Sequence, residues 1–310
     1  MPFDERLLNG MGVLSAIVDS GSFAAAAEAL DMSQSGVSRS VARLEARLGI
    51  RLFDRTTRSV TLTDEGRRFY TQIVPLLNGL EEAAASATQG ATAVRGRLRV
   101  NVDPFFSRLF LGPRLGAFVA DYPDLQIDLI TRDQLGDMVA DGFDLAVRFG
   151  PPRASTLIAR KLLDTRIMTV ASPAYITKYG RPLTPADLES DPHVCINFRD
   201  PETGHPFQWE FHRGRKKVNV SALGRLTVND VGTMHGVCLA GHGIAQIMAL
   251  GAEQLIASGR LVDLFPDWPD ERFPLYALYP SRQHVPAKVR AFFDFIVAVS
   301  GALVSTAALV

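Results

Sequence analysis

The sequence predicts a multidomain chain in which a mainly α-helical N-terminal module and a long linker helix precede a C-terminal α/β domain of two lobes. Three patterns predict this fold class: apolar residues at helical spacing before residue 50, an apolar repeat along the linker, and alternating strand and helix patterns from residue 96. The length of 310 residues also exceeds that of a usual single domain. The expected boundaries are 1–62 for the module, 63–92 for the linker, 93–165 plus 270–300 for lobe I, 166–269 for lobe II, and 301–310 for a tail.

The N-terminal module begins with three predicted helices. The first lies near residues 5–19, and the second is the Ala-rich run that follows its N-cap, Ser22. Ser33 is the expected N-cap of the third helix, whose buried face carries Val37, Val41 and Leu44. The opposite face carries Gln34, Ser35, Ser38, Arg39 and Arg43. Two helices joined by a tight turn, with polar groups at the start of the second, are typical of a helix-turn-helix, which places its second helix in the major groove of DNA.

The charge of the chain supports this interpretation only when it is resolved along the sequence. The 33 basic and 33 acidic residues cancel, which would argue against a nucleic-acid partner if they were evenly spread. Residues 1–38, however, carry one basic and five acidic residues (−4), whereas residues 39–58 carry six arginines and two acidic residues (+4). Residues 50–53 and 59–62 are predicted strands, joined by an Arg-containing segment that is suited to phosphate contacts. The module is therefore predicted to be a winged helix-turn-helix.

These residues resemble the N-terminal signature of LysR-type transcriptional regulators. The resemblance covers about 60 residues with their spacing intact, and it is carried by Gly21-Ser22-Phe23, Ala26-Ala27, Leu30, Ser33-Gln34-Ser35, Val37-Ser38-Arg39, Leu44-Glu45, Leu48-Gly49, Leu52-Phe53, Arg55, Arg58, Leu62-Thr63 and Gly66. It implies a ligand-responsive regulator that binds specific sequences of double-stranded DNA. The candidate DNA contacts are Ser33, Gln34, Ser35, Ser38, Arg39, Arg43, Arg55, Thr56 and Arg58.

The predicted linker helix follows Thr63 and carries an apolar stripe. Its residues recur at spacings of four and three, which is the pattern of a coiled-coil seam. The stripe consists of Phe69, Ile73, Leu76, Leu80 and Ala83. Such a stripe needs a partner, and a second copy of the chain is the natural choice. The resemblance likewise implies a homodimer that assembles further into a homotetramer.

The C-terminal part alternates between predicted strands and helices. The strands are expected at 98–102, 125–130, 145–148, 166–171, 193–198, 226–228 and 275–279, and the helices at 108–120, 135–140, 231–240 and 286–299. The resemblance extends through this region and implies a two-lobed effector domain similar in fold to periplasmic binding proteins. Ligands of such folds bind at strand ends and helix starts between the lobes. The candidate effector-binding residues are Asp103, Pro104, Phe105, Phe106, Ser107, Thr131, Arg148, Phe149, Asn197, Phe198 and Asn229.

Several alternatives follow from other residues. Cys195 and Cys238 leave open a thiol redox-sensing regulator, and the lobes alone would also suit a solute-binding protein. His235, Cys238 and His242 share a helix face, but no fourth ligand is evident, so no metal is expected. The sequence contains no nucleophile elbow or Walker loop, and neither an enzyme nor a cofactor is predicted. A cytoplasmic location without membrane association is expected, with RNA polymerase as a further partner.

Overall fold

A computed structural model describes residues 5–56, 59–89, 94–138, 141–222, 224–280 and 285–307. Contacts divide the chain into two compact units. The first comprises Met1–Ala93 with Asp137–Phe143, and the second comprises Val94–Gly136 with Asp144–Val310. No single helix among the described residues is long and apolar enough to cross a bilayer. Leu8–Ser20 and Phe23–Ala29 reach that length and apolar content only together, as a pair bent by 117°.

The first unit has the predicted winged helix-turn-helix elements in the predicted order. They are α1 (Glu5–Ser20), α2 (Phe23–Ala29), α3 (Gln34–Leu48), β1 (Phe53–Thr56), β2 (Ser59–Leu62) and the linker helix α4 (Asp64–Gln89). Ser22 and Ser33 cap α2 and α3 by accepting hydrogen bonds from the backbone of Ala25 and Gly36, both at 3.1 Å. Leu14, Ile17, Val37, Val41, Leu44 and Leu52 form a core in which each is at most 2% exposed.

The first wing strand begins later than the sequence predicts. It was expected at residues 50–53, but β1 spans Phe53–Thr56 and pairs with β2 in antiparallel register. The difference arises because the backbone N–H of Leu52 donates to the carboxylate of Glu45 on α3 at 2.8 Å. Leu52 is therefore anchored to the helix, and strand pairing starts at the next residue.

The second unit contains one mixed sheet, a small hairpin and the helices that cover them. Its strands are β3 (Gly96–Val102), β4 (Leu125–Thr131), β5 (Leu145–Phe149), β6 (Leu157–Ala171), β7 (Cys195–Phe198), β8 (Trp209–Arg213), β9 (Lys216–Val220), β10 (Leu226–Val228), β11 (Ile244–Met248), β12 (Val262–Asp263) and β13 (Arg272–Pro280). Its helices are α5 (Pro104–Phe106), α6 (Gly112–Asp121), α7 (Pro173–Tyr179), α8 (Val231–Leu239), α9 (Glu253–Ala257) and α10 (Ala287–Ala307). A π-helical turn, Ser107–Leu111, joins α5 to α6, and a 3-10 helix spans Pro185–Glu189.

The strand order of the sheet separates two lobes. The order is β10-β7-β11-β6-β13-β5-β3-β4, with β12 also on β6. We call the part around β3–β5 lobe I and the part around β7, β10 and β11 lobe II, with the long antiparallel pair β6 and β13 passing between them. Strands β4 and β5 run parallel to β3, and β10 runs parallel to β7. The carboxyl ends of the parallel strands therefore lie together in each lobe.

Two predicted elements of this unit are wrong. Residues 135–138 are not helical, and Gly136 has a φ of +68°, a left-handed conformation that the interior of an α-helix excludes. Residues 139–140, the rest of that predicted helix, lie outside the described residues. The tail expected at 301–310 is helical as far as Ala307, because Leu303 still packs against the lobe I core.

Candidate functional site

The polar face of α3 is the first candidate site. Ser33, Gln34, Ser35, Arg39 and Arg43 are exposed and Ser38 is half-buried, whereas the apolar residues of the same helix are buried. Arg39 donates from Nε to the Ser35 carbonyl at 3.2 Å, and Arg43 donates to the Arg39 carbonyl at 3.3 Å. Within the described part of the chain neither guanidinium forms an ion pair. Two arginine charges are thus left available for an anion on the exposed face of α3.

The wing supplies the other predicted contacts of this unit. Arg55 and Thr56 belong to β1, where they pair with Val60 and Ser59. Arg58 lies outside the described residues. The bond from Leu52 to Glu45 connects the wing to α3, so the two elements are held in a fixed relationship.

The apolar stripe of α4 divides into a covered part and an open part. Phe69 and Ile73 pack against the core of the winged-helix unit, and Ile73 is only 5% exposed. These two residues are therefore not part of a free seam, because α1 already packs against the start of α4. Leu76 and Leu80 are 66% and 51% exposed. Ala83 lies on the same helix, but its side chain is outside the described part.

The second candidate site lies between the lobes, where β3 ends in lobe I. Asp103 caps α5: its Oδ1 accepts hydrogen bonds from the N–H groups of Phe105 at 2.9 Å and Phe106 at 3.0 Å. Burial raises the pKa of the Asp103 carboxyl, while these hydrogen bonds and the charge of Arg148 act in the opposite direction. Pro104 and Ser107 are half-buried beside this cap. The helix start that would attract an anion is occupied by the protein's own carboxylate.

Arg148, near the end of β5, organises the neighbouring loop. Its guanidinium donates to the carbonyl oxygens of Arg132 and Asp133, and to Oδ1 of Asn101 at 3.4 Å. Burial lowers the pKa of this guanidinium, and Asp103 opposes that shift. Arg148 therefore holds the loop after β4 in place, and the N–H groups that face this loop already have acceptors. Thr131, at the end of β4, is exposed.

Polar contacts join the lobes across the cleft. Asn229 Nδ2 donates to Asp133 Oδ2 at 2.6 Å, and Gln134 Nε2 donates to the Pro201 carbonyl at 2.7 Å. Arg153 forms an ion pair with Glu202 at 3.0 Å. Among these residues only Asn229 was predicted from the sequence to lie at this site. The other partners lie in loops without a motif, and only their position in space identifies them.

The predicted phenylalanines occupy different depths. Phe106 is fully buried in the lobe I core and does not line the cleft, because its ring packs against Phe110. Phe105 is also mostly buried, at 5% exposure, but its ring lies 6.4 Å from that of Phe149. Phe149 and Phe198 are half-buried, as is Asn197 beside Phe198.

Comparison with known proteins decides the family. Residues 8–67 match the model described as a bacterial regulatory helix-turn-helix protein of the lysR family, and residues 91–301 match the LysR substrate binding domain. The chain belongs to the LysR family of transcriptional regulators. These matches confirm the predicted fold class and the function of ligand-responsive, DNA-binding regulation.

Similarity to individual LysR-type regulators extends over nearly the whole chain. The regulator PtxR of Pseudomonas aeruginosa is 36% identical over 93% of this chain and 91% of its own length. The structure of the full-length virulence activator AphB of Vibrio cholerae covers 94% of this chain and 98% of its own, with 28% identity and a TM-score of 0.60. CrgA from Neisseria meningitidis covers 97% and 100%, with 30% identity and a TM-score of 0.60.

The cysteines of this LysR-type regulator do not favour the redox-sensing alternative. Cys195 and Cys238 are 1% and 0% exposed. Burial raises the pKa of each thiol to about 12. The thiolate is the reactive form of cysteine, and these pKa values keep both side chains as thiols. Both therefore pack as small apolar groups and are poorly suited to redox sensing. The helix-turn-helix match likewise does not favour a solute-binding protein.

Two of the three side chains that the sequence spacing places on one helix face, those of Cys238 and His242, differ in exposure. Cys238 is buried and His242 is exposed, and within the described ranges no three His, Cys, Asp or Glu residues form a group that could hold a metal ion. A small pocket in lobe II is lined by Arg166, Gln246, Trp268 and Glu271, among others. Its cavity volume of about 10 Å3 suits one water molecule and not an effector.

Proposed function

We propose that α3 contacts base edges in the major groove of a double-stranded DNA site while the wing contacts the backbone. The observation that carries this proposal is the pair of exposed arginines, Arg39 and Arg43, that form no ion pair with any described residue, on a helix whose other face is buried. Arginine offers two parallel donors to guanine or to phosphate. The proposed contacts are Ser33, Gln34, Ser35, Ser38, Arg39 and Arg43 on or next to α3, and Arg55, Thr56 and Arg58 in the wing.

A gel-shift titration tests this proposal on a site selected from random duplex DNA by the wild-type protein. Arg39→Ala should lose about 1–3 kcal/mol of binding free energy for the selected site and much less for unrelated DNA. Arg290→Ala, which removes an exposed arginine from α10, is the matched control and should bind as wild type. Unchanged selectivity in Arg39→Ala would show that α3 does not contact the bases.

The open part of α4 supports assembly with a second copy of the chain. Leu76 and Leu80 expose apolar surface on one helix, and covering that surface releases water from it. In the proposed homodimer, this part of α4 and Ala83 pair with the partner, so two winged helices contact one site. Assembly of two dimers into a homotetramer belongs to the same proposal.

The effector in this proposal binds between the lobes and changes the angle between them. In this proposal the contacts from Asp133, Gln134 and Arg153 to lobe II are made in one arrangement and broken in the other. An effector changes the balance only if it binds the two arrangements unequally. The proposed site is bounded by Asp103, Pro104, Phe105, Ser107, Thr131, Arg148, Phe149, Asn197, Phe198 and Asn229.

The remaining features of the proposal are those of a bacterial transcriptional regulator. The protein acts in the cytoplasm, has no catalytic activity of its own, and uses neither a metal nor a cofactor. The DNA-bound assembly would present a surface to RNA polymerase. Residues 1–62, 63–92, 93–165 with 270–300, 166–269 and 301–310 serve as functional divisions in this proposal, although α10 continues into the last of them.

A further inference from the structure

Both helices that start at the inter-lobe cleft are already capped by carboxylates. Asp103 accepts from the first N–H groups of the helical segment that begins with α5. Asp230 caps α8, and its Oδ1 accepts from the N–H and the hydroxyl of Thr233 at 2.6 and 2.8 Å. Free N–H groups at a helix start are the usual backbone site for a ligand carboxylate or phosphate. Neither helix leaves that site open.

Three arginines around the cleft also face protein oxygens. Arg148 donates to two backbone carbonyls, Arg153 pairs with Glu202, and Arg199 donates to the Gly204 carbonyl at 2.9 Å. Hydrogen bonds from Thr233, and further the charge of Arg108, hold the pKa of the Asp230 carboxyl below its ordinary value. An anionic effector that bound these three arginines would have to displace one of these partners. It would also bring a negative charge close to Asp103 and Asp230.

What the cleft offers instead is a continuous row of aromatic rings. From lobe I to lobe II the row consists of Phe105, Phe149, Phe273, Phe207 and Phe198. The successive ring centroids are 6.4, 6.1, 5.9 and 6.5 Å apart, and Phe207 is 38% exposed. These separations lie within the range of edge-to-face and offset aromatic contacts, and the exposed surface of Phe207 is where another ring can pack against the row.

One polar group at the lobe I end of the row lacks a partner. The His235 ring on α8 meets Phe105 edge-on at 6.4 Å, and its Nε2 is buried without a hydrogen bond in the described structure. Burial, and then Arg108, lower the pKa of this imidazole, which favours its neutral form. A neutral imidazole nitrogen can exchange a hydrogen bond with a hydroxyl group.

We infer that the effector of this regulator is an uncharged aromatic alcohol or phenol, whose ring joins the phenylalanine row while its hydroxyl bonds to His235. The inference rests on the proposed function, since it assumes that the effector enters the inter-lobe cleft. The phenylalanine row and the Nε2 of His235, which is unpaired in the described structure, define the chemical class of this ligand.

The test compares benzyl alcohol with benzoate, which share a ring and differ in charge, by equilibrium dialysis against the full chain. Wild type should bind benzyl alcohol at least about tenfold more tightly than benzoate, the effect of one unfavourable buried charge. Asp103→Asn keeps an N-cap acceptor and removes the charge, so benzoate should bind about tenfold more tightly than it does to wild type. Asp124→Asn makes the same change at an exposed position before β4, at the opposite end of that strand from the cleft, and should leave both affinities as in wild type.

Two further variants test where the probe binds. Phe207→Ala removes an exposed ring of the row, and His235→Leu removes the group that would bond to the ligand hydroxyl. Each variant should bind benzyl alcohol about fivefold or more weakly than wild type does. Benzoate binding to wild type as tightly as benzyl alcohol would overturn the inference. So would the failure of wild type to bind benzyl alcohol, or its undiminished binding to both variants. The gel shift with Arg39→Ala needs no ligand, so failure of the proposed DNA contacts would be seen separately.

Discussion

Asn229 and Asp133 form a 2.6 Å hydrogen bond that joins the two lobes of the effector unit. Asn229 follows β10 in lobe II, and Asp133 follows β4 in lobe I, on the loop that Arg148 holds through two carbonyls. The bond therefore couples the position of lobe II to the buried arginine of lobe I.

Asn229→Ala should make the lobes separate more readily. Loss of one net hydrogen bond, about 1 kcal/mol, corresponds to about fivefold faster hydrogen exchange in segments that the contact protects. Exchange measured by mass spectrometry should increase in residues 199–206 of the facing loop. Asn219→Ala on the exposed strand β9 is the control. Equal exchange in the two variants would mean that the Asn229 bond does not restrain the lobes.

Leu76→Glu with Leu80→Glu should disperse the assembled protein. Both side chains are more than half exposed on α4, so the new carboxylates should cost little folding free energy in a single chain. In a dimer they would be buried between the two α4 helices, which disfavours association. Light scattering should report the mass of one chain for the double variant. Val119→Glu, on the exposed side of α6, should keep the wild-type mass. A double variant that also keeps that mass would place the interface elsewhere.

Gly66→Ala should destabilise the winged-helix unit. A Cβ at this position would lie 2.1 Å from the Leu52 carbonyl oxygen, so the wing and the start of α4 must move apart. Overpacking of this kind costs about 1–3 kcal/mol, measurable by urea unfolding. Gly12→Ala on α1, where a Cβ meets nothing within 4 Å, should not destabilise the unit. Equal unfolding midpoints for the two variants would contradict the close approach.

Glu271 should make the stability of the protein depend on pH. Burial, and then the charge of Glu210, raise the pKa of this carboxyl from 4.5 to about 7, while Lys217 opposes the shift. The folded state thus binds the proton more tightly than the unfolded state, so stability falls as the pH rises from about 4.5 to about 7. Glu271→Gln should therefore raise Tm at pH 8 relative to wild type but leave it similar near pH 4.5. Glu28→Gln, at an exposed position, is the control. A gain in Tm that is the same at both pH values would assign the effect to packing.

Local signals made most of the first unit predictable. Ser22, Ser33 and Gly49 mark helix ends through their own backbone chemistry, and the spacing of Val37, Val41 and Leu44 identifies the buried face of α3. The first wing strand was predicted three residues too early. The bond from Leu52 to Glu45 connects positions seven residues apart, and no strand pattern contains that information.

The inter-lobe cleft was less predictable for a related reason. Strand ends correctly indicated Asp103, Arg148 and Asn229 as residues near the lobe boundary, since parallel strands end at one edge of a sheet. They did not separate Phe106, which is core, from Phe105, whose ring contacts Phe149. Phe207 and Phe273 were missed because neither follows a strand end that the pattern could identify.

By itself, the sequence determined the family, the order of the elements and the polar face of α3, because caps, apolar spacing and the arginine block are local properties of the chain. Only the tertiary structure decided which apolar residues of α4 remain exposed, which carboxylates occupy the helix starts at the cleft, and which rings form a row between the lobes. Those properties depend on distances between residues far apart in sequence, and such distances are set by packing.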